Sequence, residues 1–178
     1  MKKRLFIAIP LPQEIKRELA NFQKRFKKLN IRWINHENLH FTLIFIGWIR
    51  EKKIEIIKTS IVNAVQNFST FVLKLDRIVL GPDEKQPRMI WATGKTLPEL
   101  QKIRERIKSE LEKNSIPFED SHLLKLHITL ARAKENELRG LKINKNIDLN
   151  FPVKEICLME SELKPSGAEY KPLEAVHF

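Results

Sequence analysis

The chain has 178 residues, of which 42% are hydrophobic, and a formal net charge of +11 at pH 7. A chain of this length buries about 70% of its unfolded surface, so its core needs no disulfide or metal to be stable. The single cysteine, Cys157, cannot form an internal disulfide, and a reducing cytoplasmic location is expected. Pro10 and Pro12 end the apolar run near the N-terminus, so neither a secretory signal nor a membrane span is predicted.

The positive charge attracts polyanions at long range and makes their binding sensitive to salt. A high lysine content is also typical of solvated helix faces, in particular in heat-adapted proteins. Charge alone therefore does not identify a nucleic acid as the ligand, and the functional interpretation depends on motifs.

The pattern of apolar residues predicts alternating strands and helices. In chain order, it predicts a strand over residues 4–9, a helix over 15–29, strands over 31–34 and 39–46, a helix over 54–65, strands over 71–80 and 89–93, a helix over 97–111, and strands over 126–130, 153–159 and 170–177.

Two short segments, residues 81–83 and 165–167, are rich in Gly, Pro, Asp and Ser and are interpreted as turns between hairpin strands. The sequence contains no Ser/Gly-rich linker and no low-complexity tract. It therefore predicts an α+β protein with residues 1–178 in a single domain.

One short internal repeat divides the chain into two similar parts. Residues 39–43, with the sequence LHFTL, recur about half a chain later as residues 126–130, with the sequence LHITL. Two lobes of similar structure are therefore expected.

Each copy of this repeat places a histidine and a threonine on one strand face. Residues two apart in a strand point the same way, so His40 and Thr42 share a face while their apolar neighbours point into a core. His127 and Thr129 do the same in the second copy. If a pseudo-twofold axis relates the lobes, two imidazoles and two hydroxyls meet in one cleft.

Such a set of groups suits the hydrolysis of a cyclic phosphodiester. The reaction needs a base to take a proton from water and an acid to protonate the departing ribose oxygen, and histidine does either near neutrality. Threonine hydroxyls donate hydrogen bonds to the non-bridging phosphate oxygens. No metal or cofactor is then required.

A competing motif overlaps the first copy. Residues 36–40, with the sequence HENLH, match H-E-x-x-H, which binds zinc when it lies on a helix. The alternating residues 39–46 favour a strand, in which His36 and His40 stand about 13 Å apart, too far to share a metal. A third ligand at the usual downstream spacing is also missing, so a zinc site is not favoured.

The other polar candidates are weaker. His36 follows Asn35 in a predicted turn, His122 lies in a polar stretch, and His177 nearly ends the chain. Arg132, five residues after His127, would offer a guanidinium to a phosphate, but the odd spacing puts it on the opposite strand face unless a β-bulge intervenes.

Several aromatic residues lie in the predicted strands. Trp33 and Trp91 would stack a nucleotide base if they faced the cleft, although aromatic residues in strands more often pack in a core. The position of Tyr170 is open in the same way.

Together these motifs resemble the two-histidine phosphoesterases and, within them, the RNA 2′,3′-cyclic phosphodiesterases, also called 2′-5′ RNA ligases. The resemblance covers nearly the whole chain, in order. Its segments are RLFIAI at residues 4–9, NLHFTLIFIG at 38–47, PRMIWA at 87–92, LHITLAR at 126–132 and SELKPSGAEY at 161–170.

This resemblance implies a bilobal fold in which two pseudo-symmetric antiparallel sheets line a central cleft and helices pack outside. It implies that His40 is the proton donor and His127 the proton acceptor, with Thr42 and Thr129 holding the phosphate. The implied substrate is RNA with a 2′,3′-cyclic phosphate end, which opens to a 2′-phosphate. With a 5′-hydroxyl in place of water, related chemistry makes a 2′-5′ link. A monomer without a metal or a membrane partner is expected.

Two other functions stay open at this point. A two-histidine enzyme of this kind would also serve small cyclic nucleotides or 2′-5′ oligonucleotides, and the positive charge only favours longer RNA. A non-catalytic RNA-binding module would keep the cleft and the basic surface, but it has no need for both histidines.

Overall fold

The computed structural model describes residues 1–26, 28–83, 85–119, 123–164 and 167–178. The elements within these ranges are β1 (Lys2–Pro10), α1 (Gln13–Arg25), β2 (Arg32–Trp33), β3 (His40–Arg50), α2 (Ile54–Val65), β4 (Phe71–Gly81), β5 (Met89–Thr93), α3 (Pro98–Lys113), β6 (His127–Arg132), β7 (Asn144–Val153), β8 (Glu155–Lys164) and β9 (Gly167–His177). Two short 3-10 helices, His36–Asn38 and Glu51–Lys53, flank β3.

The strands form two antiparallel sheets. One has four strands in the order β3-β1-β8-β9, and the other has five strands in the order β2-β6-β5-β4-β7. In the first sheet, β1 from the beginning of the chain pairs with β8 from its end. Each lobe therefore combines segments that are distant in sequence.

The helices lie on the outside of the sheets, each with one apolar stripe turned inward. In α1 the buried stripe is Ile15, Leu19 and Phe22, and the amide of Gln23 donates to the carbonyl oxygens of Ile34 and Leu130, at 2.8 and 3.0 Å. This anchors α1 to the β2–β6 edge of the five-stranded sheet.

The other two helices pack against each other. Pro98 stands in the first turn of α3, where the missing N–H of proline is tolerated. In α2, Lys58 forms an ion pair with Glu174 of β9 at 3.3 Å. Most of the buried apolar side chains of both sheets and of all three described helices belong to one contiguous core.

The structure confirms the α+β class, the two sheets and the three predicted helices. The strand predicted over residues 153–159 corresponds to β8, but its bounds differ, because β8 begins at Glu155 and Val153 ends the preceding strand, β7. In addition, β7 was not among the predicted strands. It is an edge strand in which Ile147, Leu149 and Phe151 alternate with polar residues, and so much asparagine and aspartate resembles a loop.

Both segments predicted as turns lie in sequence between paired antiparallel strands, β4 and β5 for the first and β8 and β9 for the second. Two residues of the second segment, 165 and 166, lie outside the described residues. In the part of the chain that the structure describes, no helix is both long and apolar enough to cross a lipid bilayer.

Candidate active site

The two copies of the internal repeat lie in β3 and β6, and these strands lie next to each other where the two sheets meet. His40 is the first residue of β3, an edge strand, and His127 is the first residue of β6. Each is half-buried, and so are Thr42 and Thr129, whereas the residues between and beside them are buried. The structure therefore brings all four predicted side chains to the cleft, each pair on one strand face.

His40 is held by two hydrogen bonds. Its Nδ1 donates to the carbonyl oxygen of Asn38 at 2.7 Å, and because a carbonyl only accepts, Nδ1 carries the hydrogen of the neutral ring. Its Nε2 lies 3.0 Å from the hydroxyl oxygen of Thr42 and accepts from that hydroxyl when the ring is neutral. Nε2 is thus the nitrogen that carries no hydrogen in the neutral ring.

His127 repeats the first of these contacts. Its Nδ1 donates to the carbonyl oxygen of Lys125 at 2.8 Å, again two residues earlier, so its Nε2 also carries no hydrogen in the neutral ring. The ring of Trp91 lies against the imidazole, with centroids 4.3 Å apart. A β-carbon at Gly81 would collide with the Trp91 ring, so glycine on β4 gives the indole its place beside His127.

A β-bulge in β6 turns Arg132 toward the histidines. Trp91 of β5 pairs with Thr129 and Ile90 pairs with Ala131, which leaves Leu130 as the extra residue. Leu130 and Ala131 are both buried, so the alternation shifts by one and Arg132, although five residues from His127, shares its face. From the sequence, Arg132 is expected on the face of His127 only if such a bulge intervenes.

The same irregularity follows the first motif. Ala8 of β1 pairs with Thr42 and Ile7 pairs with Ile44, so Leu43 is the extra residue of β3. The residue that this bulge turns toward the cleft, and thus the counterpart of Arg132, is Phe45, which is 42% exposed. The internal repeat therefore includes the β-bulge, but the residue that the bulge turns toward the cleft differs, with Phe45 in β3 and Arg132 in β6.

Aromatic side chains enclose His40. The ring of Phe6 lies 4.9 Å from the imidazole, and the ring of Tyr170 meets it edge-on at 5.0 Å, measured between centroids. Asn38 donates to the carbonyl oxygen of Ala168 at 2.9 Å, which ties β9 to the segment before β3. Sequence reasoning did not place Phe6 at the site and left Tyr170 open, because both contacts depend on how β1 and β9 pair.

Burial lowers the pKa of His40 to about 4, and the positive charges of Arg132, His127 and Lys16 act in the same direction. The hydrogen bond to the carbonyl of Asn38 opposes this shift. His127 and Arg132 both stand on β6, which lies next to the strand of His40.

Burial also lowers the pKa of His127, and the charges of Arg132 and Lys125 add to the effect, while the hydrogen bond to the carbonyl of Lys125 opposes it. Both imidazoles are therefore predominantly neutral at pH 7 in the free protein. A bound phosphodiester anion reverses this trend, because a nearby negative charge favours the protonated ring.

The remaining predicted residues lie outside this arrangement. His36 is exposed, with its Nε2 2.9 Å from a carboxylate oxygen of Glu37, and His177 is exposed near Glu155 of β8. His122 lies outside the described residues. Trp33 packs against the core.

The H-E-x-x-H motif does not lie on the α-helix that zinc binding by this motif requires. His36 begins a 3-10 helix capped by Asn35, whereas His40 begins a strand, so the two imidazoles do not share a helix face. Among the described residues, no three side chains of His, Cys, Asp or Glu are grouped closely enough to hold a metal ion.

The comparisons with known proteins agree with this geometry. A family model described as LigT-like phosphoesterase matches residues 9–91, which include the first His-x-Thr motif and end before the second. A crystal structure of a protein from Thermus thermophilus superposes with a TM-score of 0.86 at 26% identity, covering 98% of this chain and 97% of that chain.

Two of the relatives carry the name RNA 2′,3′-cyclic phosphodiesterase. The one from Thermotoga maritima is 29% identical, with 98% of this chain and 95% of its own length covered. The one from Methanocaldococcus jannaschii is 32% identical, with 94% of this chain and 96% of its own length covered. By this similarity over nearly the full length, the chain belongs to the RNA 2′,3′-cyclic phosphodiesterase family of LigT-like phosphoesterases.

Proposed function

We propose that this protein hydrolyses RNA 2′,3′-cyclic phosphate ends to 2′-phosphates, with His40 as the proton donor and His127 as the proton acceptor. The observation that carries the proposal is that two histidines on neighbouring strands each fix Nδ1 on a backbone carbonyl and leave Nε2 for the cleft. Relatives of this name over nearly the full length support the substrate class.

The proton transfers follow from this geometry. Nε2 of His127 takes a proton from the attacking water, whose oxygen bonds to phosphorus as the bond to the 3′ oxygen breaks. Nε2 of His40 gives its proton to the 3′ oxygen, which leaves as a hydroxyl. After one turnover His127 has gained a proton and His40 has lost one. The two rings must therefore return to their original protonation states before the next turnover.

The surroundings support this division of roles. Of the two rings, His40 has the pKa that burial lowers furthest, and an acid of lower pKa gives up its proton more readily once charged. The phosphodiester anion supplies the negative charge that protonates His40 in the complex.

Three further groups bind the phosphate in this proposal. The hydroxyls of Thr42 and Thr129 share the strand faces of the histidines and donate to the non-bridging oxygens, where transition-state charge develops. Arg132 adds a guanidinium on the same face of β6. The proposed reaction uses these side chains alone, with no metal or cofactor.

The same site supports ligation. If a ribose 5′-hydroxyl takes the place of water, Nε2 of His127 takes the proton of that hydroxyl and Nε2 of His40 again gives a proton to the departing 3′ oxygen, so attack on the cyclic phosphate gives a 2′-5′ phosphodiester. The two histidines exchange roles when this link is cleaved back to the cyclic phosphate. We include this ligation in the proposal as a secondary activity.

The proposed catalytic unit is residues 1–178 as a single domain acting as a monomer. The pairing of β1 with β8 and the contiguous core support a unit that folds as a whole. Both histidines of the proposed site also come from one chain.

The test uses an RNA oligonucleotide with a 2′,3′-cyclic phosphate end, in EDTA, with the wild-type protein and the variants His40→Ala and His127→Ala. We expect turnover by the wild type to a 2′-phosphate, and a loss of about 10² or more in kcat/KM for each variant. The matched control is His36→Ala, which removes an exposed histidine four residues from His40 and should keep wild-type activity.

Near-normal activity in both variants would refute the assignment of the pair. A 3′-phosphate product would refute the direction of ring opening. Activity that is lost in EDTA and restored by zinc would refute the metal-free reaction.

A further inference from the structure

A second basic site begins where β6 leaves the cleft. It is a surface cavity of about 170 Å³ between the β4–β5 connection and the segment after β6. Its walls carry three cations, Lys85, Arg88 and Arg139, and one acid, Glu135. The volume is several times the roughly 30 Å³ that a water molecule occupies in the liquid, so it accommodates a phosphodiester group.

The charged ends of these three residues have no partners within the part of the chain that the structure describes. No described residue forms a hydrogen bond or an ion pair with the side chain of Lys85, Arg88 or Arg139. All three residues are exposed. With one acid on the walls, the cavity keeps a net positive charge that a bound anion would neutralise.

The cavity lies beside the end of β6 that carries Arg132. Arg88 directly precedes Met89, which pairs with Arg132, and the carbonyl oxygen of Arg88 accepts from the N–H of Ala133 at 2.9 Å. From His127 to Arg132, β6 runs about 16 Å. A single cyclic nucleotide cannot fill both places, but an RNA chain can.

Two arginines of like charge pair at the same end of β6. Arg32 of β2 stands directly opposite Arg132 of β6, and like charges in this position destabilise a sheet. The guanidinium of Arg32 reaches β9, where it occupies the space that a β-carbon at Gly167 would need. A polyanion that lay across both arginines would neutralise their charges.

We infer that Lys85, Arg88 and Arg139 form a second anion-binding subsite, which holds a backbone phosphate of the RNA chain upstream of its cyclic end. Arg132 and Arg32 connect this subsite to the histidines. The inference rests on the proposed function and adds the place where the RNA chain beyond the cyclic end is held.

The test compares two substrates with a double variant. Wild type and Arg88→Gln/Arg139→Gln are assayed on a 2′,3′-cyclic mononucleotide and on an oligoribonucleotide of about eight residues with the same end, long enough to reach the cavity. The matched control, Lys102→Gln/Lys154→Gln, removes the same charge from exposed positions beyond the opposite end of the five-stranded sheet.

We expect kcat/KM on the oligonucleotide to fall about tenfold in the double variant, chiefly through KM, and to change less than about twofold on the mononucleotide. The dependence of log kcat/KM on log salt should become shallower by about 0.7 for each lost contact with a single strand. The control should change neither value by more than about twofold.

Equal losses on both substrates, or an equal loss in the control, would overturn the subsite. A wild type that shows no preference for the longer substrate would overturn it while leaving the proposed function intact. Binding of the same oligonucleotide with a 2′-phosphate end, followed by fluorescence anisotropy, needs no turnover. If the wild type hydrolyses neither substrate, the proposed function fails, and unchanged binding in the double variant would then overturn the subsite as well.

Discussion

Strands β3 and β6 present the same backbone arrangement with different side chains around it. In each, the first residue is a histidine that donates Nδ1–H to the carbonyl two residues earlier, and a bulge follows the threonine. Beyond the bulge, β3 turns Phe45 toward the cleft and β6 turns Arg132. His40 is enclosed by aromatic rings, whereas His127 is flanked by a single indole among the described residues.

Under the proposed function, this difference makes two unlike proton-transfer groups from one repeated motif. The backbone fixes the same tautomer for both rings, so the distinction between acid and base comes from their surroundings. Burial acts most strongly on His40, and the charge of Arg132 acts on both rings.

The two threonines should matter to a similar extent but in different ways. Thr42→Val and Thr129→Val each remove a donor to the phosphate, and kcat should fall about 10² for each. Only Thr42 also bonds the proton-exchanging nitrogen of its own histidine, so only Thr42→Val should in addition displace the pH profile of kcat/KM. Thr59→Val, on the exposed side of α2, is the control, and an unchanged kcat in either cleft variant would exclude that hydroxyl from phosphate binding.

Arg132 should influence both binding and protonation. Arg132→Gln removes a charged donor, so kcat/KM should fall about tenfold. It also removes a positive charge that lowers the pKa of both histidines, so both limbs of the pH profile should move to higher pH. Arg50→Gln, at the far end of β3, is the matched control, and a shift of one limb alone would contradict the shared influence.

The pH profile of kcat/KM reports the free protein and should be bell-shaped with its optimum below pH 6.5, because both pKa values are lowered. Tyr170→Ala opens His40 to water, which should raise its pKa from about 4 and move the acidic limb upward. Tyr170→Leu keeps an apolar side chain and should shift the limb less. An acidic limb that stays in place in Tyr170→Ala would show that the ring does not control the pKa of His40.

The smallest effect concerns stability. Because folding lowers the pKa of His40 below its value of about 6.5 in the unfolded chain, the folded state is favoured fully above pH 6.5, and this contribution is lost as pH falls toward about 4. Urea unfolding should show a smaller loss of stability between pH 6.5 and 4 for His40→Gln than for wild type. His177→Gln, an exposed histidine, should behave as wild type, and identical curves for all three proteins would contradict a buried neutral His40.

Much of the site follows from local pattern. The period-two alternation around His40 and His127 places each histidine with its threonine on a polar face, and the same alternation predicts that a bulge is needed to bring Arg132 to that face. The structure places all five side chains as this reasoning requires. Their roles in catalysis remain the proposal.

The rest depends on strand pairing between distant segments. Phe6 and Tyr170 reach His40 only because β1 lies beside β3 and β9 beside β8, and no local pattern specifies these neighbours. The edge strand β7 has too polar a composition to be distinguished from a loop. The basic cavity likewise arises from two connections that meet in space.

The division of roles between His40 and His127 is tested most directly by changing the leaving group. The measurement compares the 2′,3′-cyclic phosphate substrate with a 3′-deoxynucleoside 2′-(4-nitrophenyl phosphate), whose leaving group needs no proton, in wild type, His40→Ala and His127→Ala. We predict that His40→Ala loses at least about tenfold less activity on the nitrophenyl ester than on the cyclic phosphate, because an acid is no longer required. His127→Ala should lose about the same on both. The opposite result, with His127→Ala rescued and His40→Ala not, would contradict the assignment of donor and acceptor.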